Sequence, residues 1–177
     1  MHHTTPSIQV FAGDIFDVAC DTLICSANVF LTLSGGVGGE LLRRHGDKMQ
    51  QPLNDHLARR GQRHVPQGSV VSVEGRETPW RNVLHAVCVD GMYDSTPKVV
   101  TQTLAKCWNL TAAHGNTHTA LPALATGYGH LTLPEFGQGL IAALHMPNRP
   151  HQITIALPDP DHAAELKAQL RHAGLDV

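Results

Sequence analysis

The 177-residue chain has little net charge, −2 at pH 7, and no Lys/Arg-rich run or basic stripe with interleaved aromatics, so it lacks the electrostatic footprint of a general nucleic-acid binder. Its four cysteines, Cys20, Cys25, Cys88 and Cys107, lie far apart with no C-x-x-C spacing, which argues against a zinc site and a disulfide framework. Cys25 and Cys88 fall in apolar stretches, where a free cysteine serves as a small buried hydrophobe. There is no apolar run of membrane-spanning length and no basic start followed by an apolar core, so no membrane partner is expected and the protein is expected to be cytoplasmic. None of the histidines after His2-His3 pairs at i, i+4 with a second ligand and a Glu, so neither a metal nor another cofactor is expected. Repeats, low-complexity tracts and linkers are missing as well. With 42% hydrophobic and 16% charged residues, the composition is that of one globular domain over 1–177, with residues 1–6 as a loose start.

What is present is a glycine-rich turn, Ser34-Gly35-Gly36-Val37-Gly38-Gly39, which follows an apolar strand (Asp21 to Cys25) and opens a helix expected from Gly39 to His45, closed by Gly46. Glycines let backbone N–H groups approach a phosphate without Cβ obstruction, and a helix start leaves unpaired N–H groups and partial positive charge. The turn is neither a P-loop, since no Lys-Ser or Lys-Thr follows it, nor the dinucleotide fingerprint. Taken alone it also fits an ordinary strand-to-helix turn.

Two further pieces favour a site. Asn28 follows the apolar strand, at the carboxyl end where α/β proteins bind ligands, and its amide suits a ribose diol. Leu121 to Leu131 is another apolar strand that runs into a glycine-punctuated loop, Thr126-Gly127-Tyr128-Gly129, before a helix from about Thr132. Two such loops can clamp a diphosphate between them. Remaining strands are expected at Ile8–Phe11, Gln67–Val73, Val83–Val89, His118–Ala123 and Gln152–Leu157, and remaining helices at Lys48–Arg60, Thr96–Ala113, Pro134–Leu144 and Asp161–Ala173. This alternation implies an α/β fold, a three-layer α/β/α sandwich with a mixed, mostly parallel central sheet. Arg43-Arg44 reads as a solvated face and His85, inside an apolar run, as a satisfied core histidine. Asp90 and Tyr93 follow a strand end and are further candidates to face a ligand.

In order along the chain, Gly13-Asp14-Ile15, Ser26-Ala27-Asn28, Gly35-Gly36-Val37, Val83-Leu84-His85-Ala86-Val87 and Pro122-Ala123-Leu124-Ala125-Thr126-Gly127 resemble the five ordered motifs of the macro domain, the ADP-ribose-binding module. The resemblance spans Ile8 to about Leu170. It implies ADP-ribose or an ADP-ribosylated protein as partner, and nucleic acid only as an ADP-ribosylated substrate. By resemblance Asp14 and Ile15 read the adenine, although Asp14 also suits an N-cap of the turn that follows. Gly36, Val37 and Gly38 face Thr126, Gly127, Tyr128 and Gly129 across the diphosphate, Asn28 and Gly35 hold the distal ribose, with Asn28 the candidate catalytic residue, and Ala27 is a further ligand-binding candidate. Tyr128 and Leu131 lie where relatives present an aromatic or large apolar group to the ligand, although Tyr128 equally suits a packing role.

Two departures bear on activity. Relatives commonly carry Asn where this chain has Cys25, and one group of macro-domain hydrolases carries an Asp where this chain has Gly38. The resemblance therefore implies either a hydrolase of ADP-ribose derivatives, acting on mono-ADP-ribosyl side chains or O-acetyl-ADP-ribose, or a non-catalytic reader of free or protein-linked ADP-ribose.

Overall fold

The computed structural model describes residues 7–177, so the expected loose start at 1–6 lies outside the described residues. Six strands, β1 (Ser7–Ala12), β2 (Thr22–Ser26), β3 (Val70–Glu74), β4 (Asn82–Ala86), β5 (His118–Leu121) and β6 (Gln152–Leu157), form one sheet in the order β1-β6-β5-β2-β4-β3. All neighbours are parallel except the β3/β4 pair at the edge. The helices are α1 (Gly36–His45), α2 (Gln51–Arg59), α3 (Pro97–Ala113), α4 (Leu133–Leu144) and α5 (Pro160–His172).

Alternation along the central strands sorts their side chains into two cores. Ile24 of β2 and Leu84 and Ala86 of β4 join Leu104 and Trp108 of α3, Phe136 and Leu140 of α4 and Leu166 of α5. Leu23 and Cys25 of β2 and Val83 of β4 face the other way, onto Leu41 of α1, Leu53 of α2 and Met49 of the turn between these helices. A sheet buried on both faces explains why β2 and β4 read as continuous apolar runs. No helix among the described residues is long and apolar enough to cross a membrane.

Four expected boundaries shift for local reasons. α1 starts at Gly36 rather than Gly39, because the glycines themselves form its first turn. The helix expected over 48–60 is divided into a 3-10 turn, Asp47–Met49, and α2, since Pro52 has no N–H to continue a preceding turn but fits the first turn of a new helix. Gln67 and Gly68 precede β3 as a turn, with Gly68 at φ +84°. Val87 to Val89 leave the sheet after β4, and Val89 reaches the site described below.

Ends of helices follow their caps. Thr96 caps α3, Thr132 and Glu135 form a reciprocal capping box on α4, and Asp159 caps α5. His85 is fully buried as expected, yet neither ring nitrogen has a hydrogen-bond partner among the described residues, and burial lowers its pKa to about 4. The expected satisfied core histidine is thus buried but unsatisfied. Cys25 and Cys88 are buried, and desolvation raises each thiol to about 12, so neither is a reactive thiolate at neutral pH.

Candidate ligand-binding cleft

A cleft of about 820 Å³ opens at the carboxyl ends of the parallel strands. It runs from Ala156, Leu157 and Pro158 at the end of β6, past Pro122 and Ala123 after β5, to Ser26, Ala27 and Asn28 at the end of β2. Its walls gather eleven of the thirteen expected site residues: Ala27, Asn28, Gly35, Gly36, Val37, Gly38, Thr126, Gly127, Tyr128, Gly129 and Leu131. The other two, Asp14 and Ile15, are not in the walls. Ile15 is 5% exposed and packs into the core on the α1 side. Asp14 stands beside the β6 end, since the neighbouring Gly13 N–H bonds Leu157 O.

Both Asp14 carboxylate oxygens are engaged. One accepts the Phe16 N–H at 3.0 Å and caps a 3-10 turn over Ile15–Asp17, and the other accepts Arg44 Nη2 at 2.7 Å. Arg44 is therefore not simply a solvated cation. It also bonds Glu40 and lies 4.4 Å from the Phe16 ring centroid, in cation–π range. Hydrogen bonds from Arg43 and Arg44 lower the Glu40 pKa to about 2.

On one side of the cleft, the first loop is a helix start without a side-chain cap. Gly35 and Gly36 adopt φ of +63° and +50°, a region that favours glycine, and α1 then begins with no acidic residue in its first turn. Gly35 O accepts the Gly39 N–H, so the N–H groups of Gly36, Val37 and Gly38 precede the first intrahelical bond. A Cβ on Gly36 would meet nothing within 4 Å, so the space beside it is open. A Cβ on Gly38 would instead lie 3.5 Å from Leu33 and 3.8 Å from Cys25 Sγ, so a side chain there starts against the core.

The segment leading into this loop is held by two amides. Asn28 Oδ1 accepts the N–H groups of Phe30 and Thr32, and Asn28 Nδ2 donates to Thr32 O. Gln50 Oε1 accepts the Leu33 N–H and Gln50 Nε2 donates to Leu31 O, which fixes Leu31 at φ +53°. Asn28, the candidate catalytic residue, is thus also an organiser of its own loop.

Facing it, the second loop is wound tightly on itself. Ala125 is at φ +64°, Thr126 Oγ1 donates to Ala123 O, and the Leu131 N–H returns to Ala125 O. A Cβ on Gly129 would fall 2.2 Å from Ala125 O, so the turn requires glycine there. Leu131 is 5% exposed and forms part of the cleft wall as a core residue. Tyr128, although 71% exposed, reaches across to the first loop: a Cβ on Gly35 would come within 2.3 Å of its ring. The two loops therefore meet over the cleft.

Tyr93 lines the cleft and Asp90 does not. The Asp90 carboxylate caps the loop by accepting the N–H groups of Met92 and Asp94. Gln50, Val89, Leu157, Pro158 and His162 were not read as site residues. Val89, Leu157 and Pro158 carried the weak signal of lying at or just after the ends of expected strands, whereas Gln50 and His162 sit in or beside helices with no motif to mark them. Among the described residues, Tyr93, Tyr128 and His162 are the titratable side chains in the walls, to which no Asp, Glu, Lys, Arg or Cys contributes. An anion held here is held by backbone N–H groups and the α1 dipole rather than by a cationic side chain.

The model of the Macro domain family matches residues 24–135, more than half of the chain. The chain belongs to the macro domain family. Among relatives of this macro domain, an O-acetyl-ADP-ribose deacetylase of Citrobacter rodentium is 31% identical over 126 residues, 70% of each chain. An uncharacterised protein of Pyrobaculum aerophilum is 29% identical over 123 residues, 68% of this chain and 64% of its own length. A macrodomain of Oceanobacillus iheyensis, the mutant G37V solved with ADPR, superposes with a TM-score of 0.81 at 16% identity and covers 97% of this chain and 96% of its own. A Trypanosoma brucei macrodomain in complex with ADP superposes at 0.75 with 20% identity, covering 92% and 68%. At such identities these two superpositions show the shared fold.

Proposed function

We propose that this macro domain binds ADP-ribose in the cleft and hydrolyses ADP-ribose derivatives, either O-acetyl-ADP-ribose or mono-ADP-ribosylated side chains. The observation that carries the reading is the uncapped glycine start of α1, which opens on a cleft opposite a second glycine loop. Three N–H groups that precede the first intrahelical bond, at a helix start in the cleft wall, suit a diphosphate. The cleft volume of about 820 Å³ lies in the range of small-molecule sites. In this reading the diphosphate sits between Gly36–Gly38 and Thr126–Gly129, the distal ribose at Ala27, Asn28 and Gly35, and the adenine at the β6 end beside Asp14 and Ile15. The O-acetyl-ADP-ribose deacetylase relative and the neighbours solved with ADPR and ADP point to the same ligand class.

Without a carboxylate in the walls, hydrolysis would rest on positioning and on stabilising developing charge. For an ester-linked side chain, the oxygen of a water bonds to C1″, the bond from C1″ to the acceptor oxygen breaks, and the acceptor leaves as a carboxylate with the proton passing to solvent. The products are ADP-ribose and the unmodified side chain. The same lack of a carboxylate, with Gly38 after Gly35-Gly36-Val37, favours a second reading in which the domain is a non-catalytic reader.

Incubating the protein with a target mono-ADP-ribosylated on acidic side chains, and following ADP-ribose release by mass spectrometry, separates the two. Release that vanishes in Asn28→Ala and Gly36→Glu is expected of the hydrolase. Retention of an intact target, lost in Gly36→Glu, is expected of the reader. Turnover that persists in Gly36→Glu would refute a site in this cleft.

A further inference from the structure

Tyr93 lines the cleft with its backbone at φ +65°, a left-handed conformation that side chains rarely adopt and that persists where surrounding contacts enforce it. Those contacts are numerous. Asp90 Oδ1 accepts the N–H groups on either side of Tyr93, from Met92 at 2.8 Å and Asp94 at 2.9 Å, and the Asp90 N–H donates to Asp94 O. Gln67 Nε2 donates to Asp94 O at 2.8 Å. From the second loop, the His130 N–H donates to Tyr93 O at 3.0 Å, and His130 Nδ1 lies 2.8 Å from Asp94 Oδ1.

The loop follows β4, and β4 pairs with β2, whose end carries Asn28. His162 and Pro158 lie on the far side of β5, at the opposite end of the cleft. A phenol brings a flat apolar face to a sugar ring and a hydroxyl that both donates and accepts. Tyr93 and Tyr128 are the phenols in the walls, and Tyr93 is the one that stands outside both glycine loops.

We propose that Tyr93 contacts the ligand at the Asn28 end of the cleft, against the distal ribose of ADP-ribose and the group that ribose carries, with Asp94 and His130 as positioning residues. This rests on the ADP-ribose reading of the cleft. It adds a specificity element outside both glycine loops: the Tyr93 loop tells ADP-ribose from ADP, which lacks the distal ribose.

The test is titration calorimetry of the wild type, Tyr93→Gly, Tyr93→Phe and Asp94→Ala with ADP-ribose and with ADP, each variant also melted thermally. Tyr93→Gly is expected to weaken ADP-ribose binding about tenfold while ADP affinity stays within about twofold, and to melt no lower than wild type, because glycine accepts the left-handed backbone. Tyr93→Phe is expected to fall between them, separating the hydroxyl from the ring. Asp94→Ala is expected to weaken ADP-ribose binding in the wild type and to add nothing in the Tyr93→Gly background, the coupling of a residue that acts through Tyr93. Unchanged ADP-ribose affinity in Tyr93→Gly, or equal losses for both ligands, would overturn the proposal. A wild type that binds neither ligand would overturn the cleft reading itself.

Discussion

His85 is a titratable side chain sealed between β2, β3 and the helices below, with no partner for either nitrogen. Its folded pKa of about 4 lies below the ordinary 6.5. Above pH 6.5 the imidazole is neutral in folded and unfolded chains alike and contributes no pH dependence. As the pH falls from 6.5 towards 4, only the unfolded chain takes up the proton, so stability drops, by up to about 3 kcal/mol. Chemical denaturation of wild type and His85→Leu at pH 7.5 and 5.0 checks this: the variant is expected to lose less on acidification. His45, His56 and His118 are lowered in the same direction and leave a residual slope in both proteins. At pH 7.5 the variant is expected to be near wild type, because an unpaired buried polar group is replaced by an apolar one. Asp14 poses a different question, since the oxygen that does not cap the Phe16 turn already accepts a hydrogen bond from Arg44. If that carboxylate reads adenine, Asp14→Ala weakens ADP-ribose binding by about 1–3 kcal/mol in calorimetry, and an unchanged affinity leaves Asp14 as a turn cap and ion-pair partner.

Among the elements, the start of α1 and the second loop act as a pair because Tyr128 lies over Gly35. Neither loop contains a cation, so their separation and the direction of their N–H groups set what they hold. Gly35→Ala tests this coupling. The new methyl would overlap the Tyr128 ring, and the backbone there is already at φ +63°. Tyr128 is exposed and free to swing outward, so the fold is expected to survive with a small loss of melting temperature. Binding of ADP-ribose is expected to weaken at least tenfold, about 1.4 kcal/mol, because the loops can no longer meet over the ligand. An affinity equal to wild type would show that contact between the loops is dispensable.

For the whole molecule, the cleft is built from the ends of four strands that belong to one sheet with a core on each face. A ligand that spans both glycine loops ties together the segments that follow β2 and β5, and binding to the folded state alone raises stability by mass action. At a hundredfold excess of ADP-ribose over its Kd, unfolding is expected to cost about 2.7 kcal/mol more, read as a rise in melting temperature. Gly36→Glu is expected to abolish the rise. Equal shifts in both proteins would place the ligand elsewhere.

Local pattern alone determined much of this protein. Apolar segments, alternating in some strands and continuous in β2 and β4, marked all six strands, and glycines followed by a helix marked the first loop, because these signals act over a few neighbouring residues. Eleven of the wall residues were legible for the same reason: they sit in motifs at strand ends. Tertiary structure alone decided the partners of the rest. Arg44 is thirty residues from Asp14 and Gln50 is nineteen from Leu31, so neither contact leaves a trace in local periodicity. His85 reads like any core residue until the absence of hydrogen-bond partners is seen in three dimensions. Tyr93 became a wall of the cleft through Asp90, Gln67 and His130, brought together by the order of strands in the sheet.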